Sequence, residues 1–241
     1  MTLLAVTSYE WMKSLHILCV IIWLGTDVGT YLSFQKLLDP ALAVPTRLSM
    51  SRLSNLLDQG PRSALVILLM LGITMTNKGG WGLQGDGGRV LGLLAAVVGL
   101  VWFVGVWYQY WVAHAPADVI RSLGHVKGEQ IFRKVDLYWR VVVAGVLVVV
   151  ALASLFTTGD GGPIQANWVA WKLLCFAGIV GCGVLIRVAL PKIGAAIGGL
   201  MLGSTPDRET ALRSAAMPAI RAVWGIWTFI VVMSALAVFK P

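Results

Sequence analysis

Apolar residues gather along this chain into six blocks, at about 11–36, 61–77, 89–113, 139–157, 167–190 and 217–239, and glycine, proline or charge returns between them. Each block is close to the ~20 residues a helix needs to cross the hydrocarbon core of a bilayer. The pattern predicts an all-α fold: an integral membrane helical bundle with about six transmembrane helices, forming a single polytopic domain over residues 1–241. The first block begins after Glu10 and lacks both a basic leader and a small-residue cleavage site. It therefore reads as a retained span and not a signal peptide. The second block opens at Gly60-Pro61, where proline suits a first helical turn. The fifth runs from Trp168 to Pro191, and the sixth follows Pro218.

Composition agrees with the pattern. Apolar residues make up 58% and charged residues only 12%, about half the share of a soluble domain, which is roughly 25%. Mean hydropathy is +0.80. A soluble enzyme and a disordered chain are both excluded, since neither could be built from so few polar side chains.

The net charge of +8 belongs first to topology. Lys36, Arg47, Arg52 and Arg62 fall in one inter-block segment. Arg121, Lys127, Arg133, Lys134 and Arg140 fall in a second, and Arg187, Lys192, Arg208, Arg213 and Arg221 in a third. The alternate loops carry only Lys78 and Arg89, or no basic residue at all. Basic loops stay in the cytoplasm, so both termini are expected outside, in a multi-pass membrane protein. Little of the charge is left to argue for nucleic acid as a partner.

The glycine-rich stretches 77–89 and 158–163 lack the Lys-Ser/Thr ending of a phosphate loop and read as connectors. Segments 46–58, 127–140 and 207–221 mix Arg or Lys with Leu, Ile or Phe and read as amphipathic extensions of helices two, four and six. Residues 131–140 and 212–221 lead into their spans in similar ways, a weak repeat that the shared demand for a basic helix start explains equally well. Cys19, Cys175 and Cys182 lie inside apolar blocks with no CxxC spacing and read as small packing residues.

Polar residues within spans are costly, and each is a functional candidate for that reason. At 3.6 residues per turn, His16, Val20, Trp23, Asp27 and Thr30 share one face of the first helix. His16 lies toward the outer side and Asp27 toward the cytoplasm. His16 suits either a hydrogen bond to a neighbouring helix or ligation of haem iron, a common role of imidazole. Met70, Met75 and Lys172 fall at a similar depth. A thioether could be a second axial ligand, and an ammonium could hold a carboxylate; the alternatives are a packing methionine and a snorkelling lysine. Toward the cytoplasm, Asp27, Asp58, Arg62, Asp136, Arg140 and Arg187 form a second group, in which Asp27 is expected to pair with an arginine. His114 and His125 are too far from His16 to share one haem with it.

The eleven tryptophans divide in the same way. Trp11, Trp81, Trp111, Trp139 and Trp168 fall near span ends, as interfacial belts require. Trp23, Trp102, Trp224 and Trp227 lie deeper, where they could line a flat cofactor or simply pack.

The first span reads Tyr9-Glu-Trp-Met-Lys-Ser-Leu-His-Ile-Leu-Cys-Val-Ile-Ile-Trp-Leu-Gly25. Its W-x-K-x-L-H-I-x-x-V-x-x-W pattern resembles the opening helix of the HemJ-type protoporphyrinogen oxidases, small bacterial membrane proteins that carry b-type haem. Related helices occur in the CopD-like copper-resistance membrane proteins. Met50-Ser-Arg-Leu53 through Gly60-Pro61 to Gly72 is similar to the basic start of that family's second helix, and Trp168-Val-Ala-Trp-Lys-Leu173 to the W-x-x-x-K-L start of its third. About half the chain takes part. The resemblance implies haem b as cofactor, His16 as its metal ligand and Lys172 as a site residue, with Trp23, Met70 and Met75 as further cofactor-binding candidates. The family's P-R-L-F-x-x-H continuation is replaced here by Tyr31-Leu-Ser-Phe-Gln-Lys36, and six spans stand in place of four. Haem binding therefore follows from the resemblance more directly than does oxidation of protoporphyrinogen.

The leading expectation is a membrane haem protein of redox function, an oxidoreductase if it is an enzyme, passing electrons to quinone or acting on a porphyrin. A CopD-like copper-handling protein and a non-catalytic anchor subunit of a redox complex are the alternatives. The Gly25-Thr-Asp-Val-Gly29 pattern suits helix packing within one subunit, in a homo-oligomer or against a partner subunit.

Overall fold

In a computed structural model, residues 8–115, 125–157 and 162–240 are described, apart from the side chains of residues 113, 125–127 and 129. Arg121, the Lys127 and His125 side chains, and residues 158–161 of the second glycine-rich turn thus lie outside the described residues. The elements are α1 (Ser8–Leu37), α2 (Val44–Leu57), α3 (Gln59–Lys78), α4 (Gly85–His114), α5 (His125–Phe156), α6 (Asn167–Met201) and α7 (Pro206–Phe239). Among the described residues, six helical stretches are long and apolar enough to cross a membrane, with α2 and α3 counting as one. This is the all-α membrane bundle that the six blocks predict.

The helices run longer than the apolar blocks. Flanking amphipathic segments are helical, and α6 continues through Pro191, the expected span end, to Met201. Residues 85–89 of the first glycine-rich stretch already belong to α4. Residues 207–221 are continuous with the last span, and 128–140 with the fourth. Segment 46–58 differs: α2 is set off from α3 by a turn at Asp58, just ahead of Gly60-Pro61. Thr205 caps α7, its hydroxyl accepting a hydrogen bond from Arg208 N, with Pro206 in the first turn.

The six long helices close a ring. Helix α3 lies between α1 and α4, α6 lies between α5 and α7, α4 meets α5, and α1 meets α7 through Asp27 and Trp227. The interior is filled from every span: Cys19 and Trp23 from α1, Leu65, Val66 and Leu68 from α3, Trp102 and Val106 from α4, Val143 and Leu147 from α5, Phe176, Ile179 and Val180 from α6, and Ile226 from α7. The outside is apolar as well. Ile17, Ile21, Leu93, Val101, Val149, Leu185 and Val231 are all more than half exposed. Such a surface would aggregate in water and is stable where lipid is the solvent.

One end of the bundle gathers the start of α1, the α3–α4 turn, the start of α6 and the end of α7. There Tyr9 meets Trp81, Trp81 meets Trp168 with ring centroids 5.0 Å apart, and Lys78 Nζ donates to Ser8 Oγ. The opposite end carries the basic segments, and we refer to it as the basic end.

Candidate functional site

The sequence-predicted residues near the aromatic end come from α1, α3 and α6. His16 is half-buried on α1, and its Nδ1 is buried with no hydrogen-bond partner among the described residues. Lys172 of α6 lies within electrostatic reach of that ring. The Lys172 ammonium sits 5.5 Å from the Trp168 ring centroid, and Lys240 is 5.7 Å from the rings of both Trp81 and Trp168. Two cations thus share one aromatic cradle with no carboxylate ion-paired to either among the described residues. Trp23, two turns along α1 from His16, is buried, and its Nε1 also lacks a partner among the described residues. Buried polar atoms are nearly always hydrogen-bonded, and these two nitrogens lie on one face of α1.

Met70 and Met75 behave differently. Met70 packs against the main core from α3, with its sulfur seated against Gly99 of α4. Met75 is half-buried near the end of α3. His114 is exposed, and its Nδ1 lies 2.8 Å from Tyr110 O. Cys19 is buried, Cys175 and Cys182 are half-buried, and all three are free thiols. Among the described residues no three His, Cys, Asp or Glu side chains converge as a metal ion would require.

A haem would ask the chain for an imidazole nitrogen facing an apolar interior, an aromatic wall, and a cation for its carboxylates. The orphaned His16 Nδ1, the buried Trp23 indole and the unpaired Lys172 ammonium are a donor set that fits those demands.

The polar group toward the basic end is built around Asp136. This fully buried carboxylate accepts from Trp102 Nε1 at 2.8 Å and from Arg140 Nε at 3.0 Å, one helical turn away. Arg187 Nη2 of α6 lies 3.2 Å from the same carboxylate, aligned as an ion pair and not as a hydrogen bond. Arg187 Nη1 donates instead to Gln109 Oε1 of α4. Asp58 pairs with Arg62 on α3. Sequence reasoning placed the charges of this group together but missed Trp102 and Gln109, which no charge pattern marks.

Asp27 corrects an expectation. Among the described residues it pairs with no arginine; its carboxylate accepts from Trp227 Nε1 at 2.6 Å. A buried indole N–H supplies the hydrogen bond at lower desolvation cost than a guanidinium would. The deep tryptophans Trp102 and Trp227 are thereby committed to carboxylates, while Trp224 is exposed and meets Trp227 edge-on. Trp139, expected at a span end, packs edge-on against Trp102 beside the core. Gly29 of the GxxxG pattern is used within the chain, where a Cβ would lie 3.0 Å from Leu57 Cδ1 of α2. No family model, curated protein or solved structure matches the chain.

Proposed function

We propose that this chain is an integral membrane b-type haem protein of redox function, working in the bacterial cytoplasmic membrane. The observation that supports it most directly is the buried, partnerless His16 Nδ1 within electrostatic reach of Lys172. In this reading His16 would hold the haem iron, Lys172 would neutralise a haem carboxylate, and Trp23 would form part of the wall that excludes water. Haem would supply one-electron chemistry there. The first-helix pattern and the Trp168–Leu173 segment add the HemJ-type resemblance to the same residues. A membrane quinone is the electron acceptor this reading favours, and a porphyrin is the candidate substrate.

The test is an absorption spectrum of the detergent-purified protein expressed with ample haem supply. A Soret band that shifts on dithionite reduction and is lost in His16→Ala supports the reading. A protein that carries no haem, or one whose band is unchanged in His16→Ala, overturns it.

A further inference from the structure

A crevice of about 370 Å³ opens beside α3 toward the basic end. Its floor is the first two turns of α3, and its walls are α1 and α4, which flank α3 on either side. Most of the lining is apolar, and the rim residues Ile22, Leu56 and Trp107 are each close to half exposed on the surface that faces lipid.

The floor departs from this apolar character. Gln59 is only 6% exposed, and neither its Nε2 nor its Oε1 has a hydrogen-bond partner among the described residues. One turn further, Ser63 Oγ is likewise buried and unpartnered. These groups are four residues apart, about 6 Å along the helix axis, and both line the crevice. The side wall is aromatic: Trp107 and Tyr110 of α4 meet edge-on with centroids 5.7 Å apart.

We infer that this crevice binds the headgroup of a membrane quinone. Each property of the site selects for that chemistry. The aromatic side wall and apolar lining favour an uncharged ring. Two polar groups one turn apart suit a ring carrying an oxygen at each end. A carboxamide and a hydroxyl can each donate and accept, so Gln59 and Ser63 can serve carbonyl oxygens in the oxidised ligand and hydroxyl groups in the reduced one. The lipid-facing rim leaves a path for a long apolar tail. Cys19, on the α1 wall, is one helical turn from His16. The purpose of the site rests on the redox reading above; its geometry does not.

The experiment uses the full chain in detergent and titrates it calorimetrically with decylubiquinone, with 1-decanol as the tail-only control. Saturable single-site binding is expected, weakened about tenfold in Gln59→Met, which removes the hydrogen bonds at similar volume. Ser63→Ala is expected to weaken it several-fold. Ile67→Trp, which fills the crevice and leaves both polar groups in place, is expected to abolish it, and Arg221→Gln, on the exposed face of α7, to leave it unchanged. Undiminished binding in both Gln59→Met and Ile67→Trp would overturn the assignment, as would decanol binding as tightly as the quinone. Haem absorbance read on the same samples keeps the two readings apart. Haem present without quinone binding removes this site alone; quinone bound by a haem-free protein upholds the site and removes the haem.

Discussion

Arg47 and Glu209, 162 residues apart in sequence, are joined by two parallel hydrogen bonds of 2.6 and 2.8 Å. The arginine is fully buried and also donates from Nε to the carbonyl of Leu37, the last residue of α1. Glu209 stands in the first turn of α7, where the helix dipole favours a carboxylate, and it accepts as well from Ser204 Oγ. One side chain thereby fastens the α1–α2 corner to the start of the last span.

Removing Glu209 strands a fully buried guanidinium, so Glu209→Ala should destabilise the protein by about 3 kcal/mol or more. Arg47→Ala leaves a partly exposed carboxylate that Ser204 Oγ still holds, and should cost less. Arg47→Lys should recover only part of that loss, because an ammonium cannot reproduce the planar two-point contact. Thermal unfolding in detergent reads all three, and equal midpoints for Arg47→Lys and the unaltered protein would refute the argument.

Asp136 is the second junction, and a double-mutant cycle tests it. Asp136→Ala strands two buried guanidinium groups and should cost about 3–5 kcal/mol. Adding Arg140→Ala removes one of the stranded charges, so the double variant should be no worse than the single. The coupling between them should exceed about 1 kcal/mol. Additive losses would show that the carboxylate and Arg140 do not act together.

These two junctions show how much the sequence makes legible. Six spans and the basic segments between them follow from hydropathy and charge, because a bilayer penalises every exception. The grouping of Asp136, Arg140 and Arg187 is readable for the same reason. Arg47 is not: among so many loop arginines it looks like one more topological charge, and only a contact with Glu209 sets it apart. The nearness of His16 to Lys172 could be anticipated from helical rise, since both residues are polar at similar depth. The crevice at Gln59 could not. It depends on α3 lying recessed between α1 and α4, and one glutamine at the start of a helix carries no signal of that.

The Asp27–Trp227 hydrogen bond yields a paired prediction. Trp227→Phe keeps the aromatic contact with Tyr31 but leaves a buried carboxylate without its donor. It should cost about 1–3 kcal/mol. Asp27→Asn keeps an acceptor oxygen for the indole and should cost less. If Asp27→Asn proves the more harmful in thermal unfolding, the charge and not the hydrogen bond is what the site requires.

The crossing of α1 and α3 depends on Gly60, and its substitution gives a result whose sign is diagnostic. A Cβ at Gly60 would run into the Thr26 side chain, whose own Cβ would lie only 2.8 Å away. Helix propensity alone favours Ala over Gly by about 1 kcal/mol, whereas forcing atoms into a close-packed contact costs about 1–3 kcal/mol. Gly60→Ala should therefore be destabilising despite the better helix former, with a lower unfolding midpoint in detergent. Combining it with Thr26→Ala removes the Thr26 Oγ1 and Cγ2 atoms and leaves the Cβ, so stability should return in part and not in full. A Gly60→Ala protein as stable as the unaltered one would mean that the two helices can separate freely at this point. In that case the crevice beside α3 would have no fixed wall on its α1 side.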